Sequence, residues 1–499
     1  MPTTARRAST IVTLSALLTA GCAITPDPIT EMELKEQGSA RLQRLAEVRT
    51  PVTGTLTLKS AIARAVEYNL DHRVEMYETA LRKAEINAAT AEMLPSLVAG
   101  AASDNRNNPR ASSSYNLVTN TQNFGFSTSE DERRRTADLA LSWHILDFGL
   151  SYVRARQAGD KLLIAQENRR RVVQKLVEEV RTAYWRAYAA DITRNRLRKL
   201  EKRASRMIRL SSRLVKDRTA SPITAITYRR ELIEIRRTLQ ELQREMASAK
   251  IQLASLINER PDAKFRLARP KMGRASRLLS SAPSRLISIA MEKRPELREV
   301  AYRRRINGKE LDAALLELLP GIQLFAGANF DTNSFLFHDQ WVKWGARASW
   351  NVMRLVQYPA RRDVIDAQDA ALAQKDLSLT LAVMTQIYVS RARIAIIQRE
   401  LGTARDYYST QRQLLHHIRA EFNADRVSEQ TLLREELNEA VAEIRKLLAE
   451  ANLQSARAAL ATAIGIDPPT YSDELPHLMI AGNASAWSSH VRPATYRAK

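Results

Sequence analysis

Read through its apolar positions, the chain is written twice. Across residues 150–217 apolar side chains recur at helical spacing, as in Val172, Val173, Leu176, Val177, Val180, Ala183, Tyr184 and Ala187, a stripe with a period of about 3.6 residues. No proline falls between Pro109 and Pro222 or between Pro359 and Pro468. The spacing therefore predicts an uninterrupted helix of roughly 100 Å at about 1.5 Å per residue. It also predicts a return helix over 223–257, and a second such pair over 360–422 and 431–464. Helices this long have no globular core to face and suit coiled-coil packing in a long bundle.

Ahead of each long helix the pattern changes. An amphipathic helix runs from Ile62 through Leu81 in the first half and from Leu286 through Leu318 in the second, ending at Pro95 and Pro320, since proline restricts its predecessor and cannot continue a helix. Short strands are predicted at 97–102 and 139–145, with counterparts at 322–328 and 346–352. Ser142-Trp143 recurs as Ser349-Trp350, Ser221 as Ser428 and Pro261 as Pro468, each 207 residues on, whereas Leu94-Pro95 recurs 225 residues on as Leu319-Pro320. The 18-residue discrepancy places an insertion between the two strands of the first half, in an Asn- and Ser-rich loop over about 104–135, where length changes are tolerated. The expected organisation is a signal peptide over 1–21, an extended N-terminal anchor segment over 22–55, a first repeat over 56–261 and a linker over 262–283. A second repeat over 284–468 and a tail over 469–499 complete it.

Composition alters this picture at the N-terminus. Arg6 and Arg7, an apolar run from 11 to 18, and the small residues Thr19, Ala20 and Gly21 precede Cys22, the only cysteine. A basic head, an apolar middle and a small-residue cut are those of an export signal, too short to span a bilayer. The 77 lysines and arginines against 55 acids, a net charge of +22, would suit nucleic acid, but an exported chain does not meet a genome. The arginines are dispersed, with short clusters at 169–171 and 303–305, and read as solvated helix faces with an anionic lipid surface as partner. No later stretch approaches 18 consecutive apolar residues, so a membrane is crossed by strands or not at all. Four strands with open edges cannot sit in lipid alone, so further copies must close them. No Walker loop, Rossmann glycine pattern, zinc-type spacing or nucleophile elbow occurs, and the adjacent His416 and His417 do not share a helical face. The chain is expected to be neither an enzyme nor a cofactor or metal binder.

The doubled order of helix, two strands and helical hairpin, the Leu-Pro ends at Pro95 and Pro320, the strands at Trp143 and Trp350, Asp147-Phe148-Gly149, and Arg294-Pro295-Glu296-Leu297 with Asn69-Leu70-Asp71 in the matching place together resemble the TolC-like outer-membrane efflux proteins. The resemblance implies a mainly α fold with a small β part: an α-helical coiled-coil barrel plus four strands per chain of a trimeric 12-stranded membrane barrel. It implies a homotrimeric exit channel working with a periplasmic adaptor and an inner-membrane pump; channels of type I protein or polysaccharide exporters share that architecture. Cys22 resembles the acylated cysteine of the lipoprotein box, with Thr19 and Leu18 in place of its usual leucine spacing, and Ala23 after it implies the outer membrane. The family's adaptor-contacting tips fall at Arg218 and Ser221 and at Asp425 and Ser428, with Arg218 and Asp425 standing where glycine is usual. Its constriction falls near Glu429, Thr431 and Arg434, where relatives with a carboxylate ring carry acids in place of the last two. Trp143, Trp341, Trp344 and Trp350 are expected either as an interfacial aromatic belt or as packing inside the barrel.

Overall fold

The computed structural model describes residues 28–216, 222–270 and 281–467. Cys22, Arg218, Ser221, Pro468 and the C-terminal tail lie outside the described residues. The segment up to Pro51 is one compact unit and the chain from Val52 another. In the first, the expected extended anchor is instead a helix, α1 (Glu31–Glu47). Thr30 caps it, accepting from the Glu33 amide while Glu33 reaches back to the Thr30 amide at 2.8 Å. This Thr-x-x-Glu capping box satisfies two orphan donors and starts the helix.

The second unit follows the doubled order. It runs β1 (Thr55–Leu56), α2 (Leu58–Tyr68), α3 (Leu70–Ala91), β2 (Ser96–Asn105), β3 (Ala111–Ser112), β4 (Tyr115–Asn116), β5 (Thr121–Gln122), β6 (Ser127–Thr128), β7 (Arg133–His144), α4 (Ile145–Lys216) and α5 (Pro222–Leu256). Then come β8 (Arg266–Leu267), α6 (Pro283–Lys293), α7 (Pro295–Leu316), β9 (Gly321–Asp331), β10 (Gln340–Ser349), α8 (Met353–Asn423) and α9 (Glu429–Ala463). The starts of α6, α7 and β9 lie 225 residues after those of α2, α3 and β2, and the starts of β10 and α9 lie 207 after those of β7 and α5. The insertion sits between β2 and β7, as expected. It is not a formless loop: β3 pairs with β6 and β4 with β5, extending the hairpin outward.

Each expected leading helix is two helices. Asn69 breaks the first with an extended backbone, closing α2 and capping α3 by accepting from the His72 amide at 3.1 Å. Arg294 breaks the second at the matching place, because the proline that follows disfavours the α region. The turns after α5 and α9 match too. Asn258 and Gly465, 207 apart, both adopt positive φ. In each turn the next amide bonds five residues back, Glu259 to Ala254 and Ile466 to Ala461, the left-handed C-cap geometry. Glycine is required at 465 for space as well, since a Cβ there would come within 2.7 Å of the Lys293 carbonyl.

The core runs along the helices. One cluster joins α2, α4 and α5 through Ile62, Val173, Val180, Leu253 and Ile257. Buried Tyr184 lies 2.7 and 2.8 Å from the carbonyls of Leu56 and Ala268, tying the parallel β1–β8 pair to α4, and burial pushes its phenol up to about 12. A second cluster joins α4, α5 and α9 through Leu197, Leu232, Leu433 and Ile444, and a third joins α6, α8 and α9 through Leu286, Ile387 and Leu460. No described helix is long and apolar enough to cross a membrane.

Candidate functional site

Two regions carry the candidate chemistry: the sheet and the ends of the long hairpins. The sheet has the order β10-β9-β7-β2, antiparallel throughout, with β10 and β2 as unpaired edges. Side chains alternate across a strand, and the register sorts them into two unlike faces. One face holds Leu97, Ala99 and Ala101, then Ala137, Leu139, Leu141 and Trp143, then Ile322, Leu324, Ala326, Ala328 and Phe330, then Val342, Trp344, Ala346 and Ala348. The one polar side chain that the ladder adds to this face between Ile322 and Phe330 is Gln340, opposite Phe330 at its outer end. The opposite face carries Asp138, Ser142, His144, Gln323, Asn329, Lys343 and Arg347. From Ile322 to Phe330 the apolar face extends about 27 Å along the strand, close to the band of about 25 Å that faces lipid in membrane barrels.

The register divides the four tryptophans. Trp143 and Trp344 stand on the apolar face and Trp341 on the polar one, because 341 and 344 differ by an odd number and alternation sends them opposite ways. Trp350 lies just beyond β10 and donates from Nε1 to the Leu318 carbonyl at 2.9 Å, pinning the turn into α8. The four therefore form neither a single belt nor a single interior cluster. Gly345 leaves room for the Phe325 ring beside it, which a Cβ would meet at 2.7 Å.

The helices also present an uncovered apolar surface. Along α8, Leu377, Leu381, Tyr388, Ile396, Tyr407 and Leu414 are exposed, although they fall within about 120° of one another at 100° per residue. A stripe of that width on a soluble helix is normally covered.

At the described hairpin end, Asp425 occupies the left-handed region at φ 57°, which aspartate tolerates better than most side chains. The Arg426 amide bonds back to Glu421 at 2.9 Å, completing a cap after α8. Ser428 caps α9, its Oγ accepting from the Thr431 amide at 3.2 Å. About four turns of α9 are then fastened to α4 and α8 by ion pairs. Arg203 holds Glu429 at 3.0 Å and Glu436 at 2.6 Å. Arg419 reaches Glu436 from α8 at 3.4 Å. Arg196 holds Glu439 and, at 2.8 Å, Glu443. Buried Glu435 accepts from Gln411 at 2.6 Å and Asn438 at 3.2 Å. Arg434, more than half exposed, has its Nε 3.4 Å from Glu435. Glu435 and Glu436 thus have partners within their own chain. Arg196 and Arg203 were not singled out in the sequence, since nothing distinguishes them there from the other helical arginines.

A charged buried girdle lies further along. Arg294 donates to the Thr462 carbonyl at 2.9 Å and to Gln386 at 3.1 Å, and burial lowers its pKa. His72 is buried with Nδ1 2.6 Å from the Val66 carbonyl, while Arg169 donates to Nε2 at 3.2 Å. Nε2 is therefore the acceptor and Nδ1 carries the proton. Burial holds the ring neutral, below the ordinary imidazole pKa.

Long antiparallel helical hairpins, two repeats and a small sheet with one largely apolar face make up the fold. The family model described as outer membrane efflux protein matches residues 61–259, within the first repeat. No curated protein sequence matches the chain. Among solved structures, a membrane protein from Pseudomonas aeruginosa shares 18% identity with a TM-score of 0.64, over 82% of this chain and 90% of that one. The CusC channel shares 17% with a TM-score of 0.62, over 84% and 95%. The open state of the Neisseria gonorrhoeae MtrE outer-membrane channel shares 16% with a TM-score of 0.61, over 82% and 89%. At these identities the likeness is one of fold.

Proposed function

We propose that three copies of this chain form an outer-membrane exit duct of a tripartite efflux system, passing small molecules outward from an inner-membrane pump through a periplasmic adaptor. The observation that carries the reading is the four-stranded sheet whose one face is apolar from Ile322 to Phe330, with Gln340 at its end, and whose two edges are open. In lipid those edges must be paired, and joining β10 of one copy to β2 of the next closes a ring with the polar face inward. The uncovered stripe on α8 supports the same assembly, since neighbouring hairpins would cover it. The tips at Arg218, Ser221, Asp425 and Ser428 meet the adaptor in this reading, and Glu429, Thr431 and Arg434 stand at the constriction. Acylation of Cys22 anchors each copy in the outer membrane. Planar-bilayer recording tests the duct: discrete single-channel steps are expected, and a purified membrane form that never conducts contradicts it. Intact mass tests the anchor; a chain still beginning at Met1, or cut elsewhere without acyl groups, contradicts that part.

A further inference from the structure

The 18-residue insertion between β2 and β7 of the first half is a paired projection with an apolar end. Its base is fastened to the β9–β10 turn: the Asp131 amide donates to Asn333 Oδ1 at 3.1 Å, Asn333 Nδ2 donates to the Ser129 carbonyl at 3.0 Å, and the Ser334 amide donates to Asp131 Oδ2 at 2.6 Å. Beyond that base, the stretch from Ala111 to Ser129 contains no charged residue, in a chain that is 26% charged. Leu117 is 85% and Val118 93% exposed, and Phe124 and Phe126 are also uncovered. A solvated loop tip has no reason to exclude charge and display four large apolar groups.

The sheet order says what lies beside it. The projection rises from β2, an open edge, and the other open edge is β10, so the neighbouring copy brings its β10 there, preceded by its β9–β10 turn. That turn carries a second uncovered apolar cluster, Phe335, Leu336 and Phe337, with Phe337 93% exposed. An anionic lipid headgroup would instead favour cations on the tip, and there are none. We propose that the β2–β7 hairpin is a strap between copies, its tip around Val118 packing on the Phe335–Phe337 cluster of the next copy. The inference rests on the assembly of several copies proposed above. It adds a one-way contact outside the barrel wall, in which the two sides of the interface are different surfaces, so that the contact closes a ring.

The test is a pair of cysteines in the full-length chain, Val118→Cys and Phe337→Cys, separately and together, treated with a short bis-maleimide. The parent chain, which retains Cys22, is the control, and native mass in mild detergent gives the oligomeric state of each protein independently. The strap predicts that the double variant runs as a covalent ladder ending at the full oligomer and that each single variant stays monomeric on a denaturing gel. An oligomer by native mass with no ladder from the double variant overturns the strap and leaves the duct standing. Covalent dimers from Val118→Cys alone overturn it in favour of tips that meet one another. A parent chain that is monomeric by native mass removes the duct and the strap together. Replacing residues 111–128 by a short turn should also lower the temperature at which the oligomer dissociates in detergent, and an unchanged temperature counts against the strap.

Discussion

Two adjacent residues of β7 should respond oppositely to the same substitution. Leu141 stands on the apolar face, paired with Leu97 on one side and Ala326 on the other. Ala140 stands on the opposite face, paired with Val98 and Gly327. Leu141→Arg places a guanidinium near the middle of the apolar band, where a cation facing lipid costs about 2–4 kcal/mol per copy, or about 6–12 kcal/mol for three. Ala140→Arg puts the same group on the face that already carries Asp138 and Lys343, where it meets water and should cost less than about 1 kcal/mol. Urea unfolding in lipid vesicles, followed by tryptophan fluorescence, reads the difference as a fall in midpoint at unchanged slope. Equal losses, or a larger loss for Ala140→Arg, would refute the assignment of the two faces.

Three further outcomes are expected. His72 is held neutral by burial and by Arg169; as pH falls below about 6.5 the unfolded chain binds a proton that the folded chain refuses, so stability drops toward pH 5, and His72→Gln should flatten that slope in thermal melts. Arg196→Met leaves Glu439, which is buried, without its cation, and should cost about 1–3 kcal/mol; adding Glu439→Gln should recover part of it, and no recovery would show that the loss comes from elsewhere. If Arg434 lies at the constriction, reversal potentials in a salt gradient should show weak cation preference in the parent channel and a shift toward cations for Arg434→Asp, because rings of charge set ion preference; strong cation selectivity in the parent would assign the filtering to another ring, such as Glu429.

Legibility in the sequence followed the range of the interactions. Periodicity carried the long helices to within a few residues at most ends, because about 70 residues of one period leave no competing element, and the offset between Pro95 and Pro320 located the insertion before any fold was known. Local signals act at three places that the apolar pattern passes over. The Thr30–Glu33 capping box starts α1 inside a segment expected to be extended, and Asn69 and Arg294 split helices whose apolar stripe continues across the break. Register was not legible, because the many small residues in β2 and β9 weaken the alternation, and the tryptophans sort only once 341 and 344 are placed on a common strand. The arginine network was hidden for a different reason. Arg196 and Arg203 lie more than 220 residues from Glu429, Glu436, Glu439 and Glu443 in sequence, and only the packing of α4 against α9 brings them together.

The central claim is that copies of this chain close each other's sheet edges and that three complete the ring. Native mass spectrometry of the membrane form, released gently from detergent, measures this directly. One dominant species with the mass of three chains is expected, falling to single chains only under denaturing conditions. A stable monomer, or a dominant assembly of any other number, would contradict it.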